Sequence, residues 1–223
     1  MSAFRKLAKM IDHSLLSPTL TAAEVNAGCL LARKYDVASV CVRPCDVKKA
    51  ADILDGSDVI VSTVIGFPHG TTTTATKVAE SLEAMDNGAV ELDVVMNIGA
   101  MKSGNTTAVE NDLKAIIETA HERGAKVKVI LECCYPNADE IRAACGICNR
   151  VNADWAKTST GYGPYGARAE ALAIMREALL PHIQMQAAGG VRTLEAAREM
   201  AALGCTRIGA TATAAILDPL ADR

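Results

Sequence analysis

The chain has 223 residues, half of them hydrophobic, and a formal net charge of −3. That length suits one large α/β domain better than two ordinary ones, and it can bury a sizeable core. The slight acidic balance lacks the footprint of a nucleic-acid binder, and no stretch is long and apolar enough to span a bilayer.

The opening MSAFRKLAKMI is broken by Arg5, Lys6 and Lys9 and lacks the apolar run of a signal peptide, so a cytoplasmic protein is expected. The first strand is predicted over 9–14 (KMIDHS). TAAEVNAGCLLARKY then reads as a helix whose Thr21 and Glu24 stand at capping-box spacing. Strands follow at 38–42 (ASVCV), 59–66 (VIVSTVIG) and 90–95 (VELDVV), with TTTTATK at 71–77 leading into a helix. From Thr107 to Arg123, Val109, Leu113, Ile116, Ile117 and Ala120 fall on one helical face, and Gly124 supplies a stop. The remaining strands are predicted at 126–132 (KVKVILE), 154–159 (DWAKTS), 183–188 (IQMQAA) and 206–211 (TRIGAT).

Eight strand–helix units with no long linker predict a single (β/α)8 TIM barrel, one domain over residues 1–223. The competing doubly wound sheet usually has fewer strands and would carry a GxGxxG turn after its first strand, which is absent. The eight cysteines read as buried, reduced thiols acting as small hydrophobes. Neither Cys133–Cys134 with Cys145–Cys148 nor the scattered His13, His69, His121 and His182 has metal-ligand spacing, so no metal is expected. His121 and His182 are placed at the surface or at helix ends. There is no nucleophile elbow and no P-loop.

A barrel puts chemistry where its strands end. Asp12, Cys41, Asp93, Glu132 and Lys157 fall near such ends, and Lys128 lies farther back in its strand. Glu91 shares a face with Asp93, and Lys126 shares one with Lys128. Charges inside a small barrel are costly unless paired or functional, so Glu91 and Lys126 are expected to point outward toward helix caps. An interior lysine beside a carboxylate suits imine chemistry: a neutral amine attacks a carbonyl, and the carboxylate shuttles protons. Lys157 with Asp93 fits that reading, and it also fits a structural ion pair. The loops after the seventh and eighth strands, AAGGVRT (187–193) and IGATATAA (208–215), are placed to cradle phosphate. There Gly189, Gly190 and Gly209 let backbone N–H groups approach an anion, and a helix N-terminus after Thr211 adds its dipole.

Taken in order, IDHSLL, CVRP, GFPHG, ELDVVMNIGAMKSG, KVILE, AKTSTG, AAGGVRT and TRIGA resemble the deoxyribose-phosphate aldolases from about residue 10 to residue 217. The resemblance implies a class I aldolase with no cofactor and no metal. It would reversibly cleave 2-deoxy-D-ribose 5-phosphate to acetaldehyde and D-glyceraldehyde 3-phosphate. It places the Schiff-base lysine at Lys157 and the proton-relay aspartate at Asp93. Asp12, Cys41, Lys128, Gly161, Gly189, Gly190, Gly209 and Thr211 fall at substrate-binding positions, and the protein is expected to be a homodimer or homotetramer.

Three departures stand out. The seventh strand reads MQAAGG, with Gln186 where the family usually has a second lysine beside the imine-forming one. The eighth loop reads GATA, so Thr211 keeps one hydroxyl and Ala212 loses another. The C-terminal DPLADR stops without the tyrosine that often ends the family's tail. Altered substrate or reduced activity is therefore expected. The competing readings are a non-catalytic sugar-phosphate-binding barrel and a related imine-forming barrel enzyme with another substrate.

Overall fold

The computed structural model describes residues 2–221; Asp222 and Arg223 of the DPLADR segment lie outside the described residues. Eight parallel strands close into a barrel in sequence order: β1 (Ile11–Leu15), β2 (Ser39–Val42), β3 (Ile60–Ile65), β4 (Glu91–Val95), β5 (Lys126–Ile130), β6 (Trp155–Lys157), β7 (Gln184–Ala188) and β8 (Arg207–Ala210). β1 pairs with β8 to complete the ring, with Asp12 opposite Gly209. This is the (β/α)8 TIM barrel, in a single domain.

α1 (Ala3–Ala8) precedes the barrel. The crossovers use α2 (Ala22–Tyr35), α3 (Val47–Leu54), α4 (Thr74–Asp86), α5 (Ile98–Lys102), α6 (Thr106–Glu122), α7 (Ala138–Arg150), α8 (Ala169–Ala178) and α9 (Leu194–Ala202). α10 (Thr213–Ala221) follows β8. The capping box of α2 is formed: Thr21 accepts from the Glu24 amide while the Glu24 carboxylate accepts from the Thr21 amide. α6 stops at Gly124, whose φ of +74° suits glycine.

Strand periodicity sorts the side chains into two layers. Val40, Val42, Leu92, Val94, Val127, Val129, Ala156, Met185, Ala187 and Ile208 are fully buried in the outer layer, against the helices. Each of the larger ones stabilises the fold by roughly 1.5–3 kcal/mol. The inner layer is strongly polar. It carries Asp12, Ser39, Ser62, Glu91, Asp93, Lys128, Lys157 and Gln186, all 3 % exposed or less.

The cysteines are all reduced; Cys45 is exposed and Cys134 half-buried, while the other six are buried. Among the described residues, no helix is long and apolar enough to cross a membrane.

Candidate active site

Three acids and three bases meet in the barrel interior. Lys128, at the centre, lies 2.9 Å from Asp12 Oδ2, 3.0 Å from Asp93 Oδ1 and 2.9 Å from Glu91 Oε2. Lys157, one strand along, donates to the other oxygen of Asp93. From β8, Arg207 forks onto Glu91 at 2.7 and 2.9 Å and reaches Asp12 Oδ1 at 2.6 Å. Ser39 adds a donor to Asp12 at 2.7 Å. Paired in this way, the charges offset their desolvation.

Two expectations are corrected here. Glu91 points inward, because Arg207 and Lys128 supply the partners that make its burial tolerable. Lys126 does not reach a helix cap: its ammonium lies 5.4 Å from the centre of the Trp155 ring, which also carries Arg207 at 5.1 Å. Arg207 itself was missed by sequence reasoning. It is a single charge at the start of a strand, and its partners lie 116 and 195 residues away.

The protonation states follow from these contacts. Burial opposes the charge on Lys128, but Asp12, Asp93 and Glu91 outweigh it and hold its ammonium well above the usual lysine range. Burial likewise opposes the charge on Lys157, and Asp93 again wins, so its ammonium is held above its ordinary value. Asp12 is desolvated too, yet Lys128 and Arg207 keep its carboxyl well below the carboxylate range. Burial pushes the neighbouring Cys41 thiol up to about 12, leaving it neutral.

Ionised Asp12 fixes the orientation of the Gln186 amide. Nε2 donates to Asp12 Oδ2 at 2.9 Å, and Oε1 is left buried without a partner among the described residues. Gln186 therefore offers an acceptor toward an interior whose charges already cancel. Lys128 acts to lower the pKa of Lys157, but the directly bonded Asp93 outweighs it.

Above this floor lies a cleft of about 420 Å³, lined by the ends of β1, β6, β7 and β8 and by the loops after them. Lys157 reaches it from below. Of the residues expected at the substrate, Gly161, Gly189, Gly190, Gly209 and Thr211 line the cleft. Asp12, Cys41, Asp93, Lys128 and Gln186 lie beneath it. Gly189 has a φ of +81°, and a Cβ there would come within 2.8 Å of Gly166 Cα. Arg192, inside the segment read as a phosphate cradle but not singled out, also lines this end and carries a positive charge. His13 borders the cleft and bonds Thr213 Oγ1 at 2.8 Å; burial lowers its pKa to about 4, so it stays neutral.

Glu132 sits at the end of β5 with a φ of +48° and pins the loop after β6. It accepts from the Thr160 hydroxyl and, at 3.3 Å, from the Thr160 amide.

A closed barrel with a cleft at the C-terminal ends of its strands and a charged floor beneath is the architecture of a barrel enzyme. A profile of the DeoC/LacD aldolases matches residues 6–215. The deoxyribose-phosphate aldolase of Rhodopirellula baltica is 46% identical over 214 residues, covering 96% of this chain and 89% of the relative. That of Aciduliprofundum boonei is 44% identical over 216 residues and covers 97% of each chain. The tetrameric deoxyribose phosphate aldolase structure from Aeropyrum pernix superposes with a TM-score of 0.90 at 29% identity, covering 96% of this chain and 90% of that one. The chain belongs to the DeoC/LacD aldolase family and is an enzyme of the aldehyde-lyase class.

Proposed function

We propose that the chain is a Schiff-base aldolase that cleaves a deoxyribose 5-phosphate-type sugar phosphate to acetaldehyde and a phosphorylated aldehyde, and runs the reverse addition. The observation that carries this reading is the Lys157–Asp93 pair, buried at the floor of a cleft that also touches Gly189, Gly190 and Gly209. The names of the relatives point the same way.

In this reaction Lys157 passes a proton to Asp93, and the neutral amine attacks the substrate carbonyl. The carbinolamine loses its hydroxyl as water, taking the proton held by Asp93, and an iminium remains. Asp93, again a carboxylate, receives the proton of the C3 hydroxyl as the C2–C3 bond breaks. The bond's electrons collect in an enamine while the phosphorylated aldehyde departs. Protonation of the enamine and hydrolysis then return acetaldehyde and free lysine. Backbone N–H groups of the β7 and β8 loops, the α10 N-terminus and Arg192 hold the phosphate. A homo-oligomer is the expected assembly, in keeping with the tetrameric Aeropyrum pernix structure.

Borohydride trapping with acetaldehyde, read by intact mass and peptide mapping, tests the reading. A two-carbon adduct confined to Lys157 and lost in Lys157→Ala is expected. Its absence would favour a barrel that binds a sugar phosphate without turning it over. The raised pKa of Lys157 is the observation on that side.

A further inference from the structure

The loop after β6 does more than carry Gly161 to the cleft. Its far end, Gly166 and Ala167, lies against the back of the β7 loop. The Ala167 amide is shared between two successive carbonyls, donating to Ala188 at 2.9 Å and to Gly189 at 3.1 Å. At the near end of the same loop, Thr158 Oγ1 donates to the Ala188 carbonyl at 3.3 Å and accepts from the Ala188 amide at 3.1 Å. Gly166 packs on Gly189 backbone to backbone: a Cβ there would stand 2.6 Å from Gly189 Cα and closer still to its carbonyl. Since all three of those neighbours are backbone atoms, no flexible side chain can yield to it.

These ties fix the direction of two amides. A trans peptide points its carbonyl and its N–H to opposite sides. With the Ala188 and Gly189 carbonyls drawn back to Ala167, the amides of Gly189 and Gly190 turn away from the β6 loop. Neither amide has a hydrogen-bond partner among the described residues. Both residues line the cleft beside Gly209 and Thr211. Two successive free amides at a turn are the donors from which anion-binding concavities are built.

From this geometry we infer that Gly166 and Ala167 are positioning residues for the phosphate of the substrate. They hold the β7 carbonyls from behind and so present the Gly189 and Gly190 amides to the anion. The inference rests on the sugar-phosphate reading proposed above and deepens it. It also joins the two halves of the site, because the segment that begins at Lys157 ends on the phosphate cradle.

The test measures KM and kcat for cleavage of 2-deoxy-D-ribose 5-phosphate beside the rate of acetaldehyde trapping at Lys157, which needs no phosphate site. In Gly166→Ala, KM should rise by about ten- to a hundredfold, the loss expected for one hydrogen bond to a charged group. The trapping rate should stay within about twofold of wild type. Gly163→Ala is the control: its Cβ would stand 2.5 Å from Cys134 Sγ, so it strains the same loop without pressing on the cradle. Its KM should stay near the wild-type value. Circular dichroism reports folding, and Ala167→Pro, which deletes the shared donor, gives a second reading of the same split should Gly166→Ala fail to fold. An unchanged KM in a folded Gly166→Ala would overturn the inference and leave the proposed reaction standing. A trapping rate that falls as far as KM rises, or an equal rise in Gly163→Ala, would overturn it too, by marking a general loosening of the loop. A wild-type chain that forms the acetaldehyde adduct but does not cleave the sugar phosphate would overturn the inference together with the proposed substrate.

Discussion

Gln186→Lys probes the electrostatics of the site most directly. Gln186 faces Lys157 in register on the neighbouring strand, so a cation introduced there would stand about 5–6 Å from Lys157. At an effective dielectric of about 20, that repulsion is worth roughly 3 kcal/mol, or about two pKa units. It would act on a lysine now held charged by Asp93, in an interior whose three acids and three bases cancel. Asp12, which already binds the amide of Gln186, would hold the new ammonium and blunt part of the effect. The expected result is a trapping rate with acetaldehyde that rises at neutral pH, by up to about a hundredfold, and a pH–rate midpoint lower by about two units. The assay is the initial rate of borohydride-trapped adduct against pH, with Tm recorded alongside because surplus buried charge costs stability. A flat or falling rate in a folded variant, with no movement of the midpoint, would refute the reasoning and mark Gln186 as part of a pocket built for another substrate.

Lys157→Ala should abolish both trapping and turnover in a chain that still folds; appreciable cleavage by it would remove Lys157 from the mechanism. Arg207→Met should destabilise the barrel by roughly 3–5 kcal/mol in urea unfolding, since it strips the buried Glu91 of its bidentate partner; a loss under about 1 kcal/mol would mean that Lys128 alone satisfies that carboxylate. His13 carries a pH signature, because its pKa falls from 6.5 to about 4 on folding. The unfolded chain takes up its proton first, so this contribution is intact above 6.5 and is lost as pH drops toward 4, costing up to ~3 kcal/mol. In His13→Gln the slope of stability over that window should flatten, as measured by urea titration at several pH values.

The barrel was legible because its outer layer follows strict alternation: Leu92 and Val94, or Val127 and Val129, announce strands between amphipathic helices. The capping box of α2 was legible for the same local reason, two residues three apart. The predicted strand at 154–159 shortens to Trp155–Lys157 because the next side chains leave the pattern. Thr158 turns to the Ala188 backbone, and Thr160 to Glu132. Alternation put Glu91 on the face of Asp93, and the assumed cost of an unpaired interior charge is what misplaced it outward. Its inward position depends on Arg207 and Lys128, which no local pattern connects to it. The cleft glycines were found through loop position in the barrel, and the floor through residue chemistry; the pairing between them is tertiary.

The neutral interior also constrains how Lys157 can lose its proton. A surplus cation would push the proton out to solvent, whereas here the nearest base is Asp93, already bonded to Lys157 through one oxygen and to Lys128 through the other. Transfer inside that pair changes no net charge, so it avoids the cost of exporting a proton from a desolvated site. Asp12 and Glu91 share Lys128 with Asp93, and Arg207 in turn holds both of them. In the proposed reaction the residues beneath the cleft would act through the charge balance around the Lys157–Asp93 pair. Gln186 contributes to that balance by what it lacks, a charge.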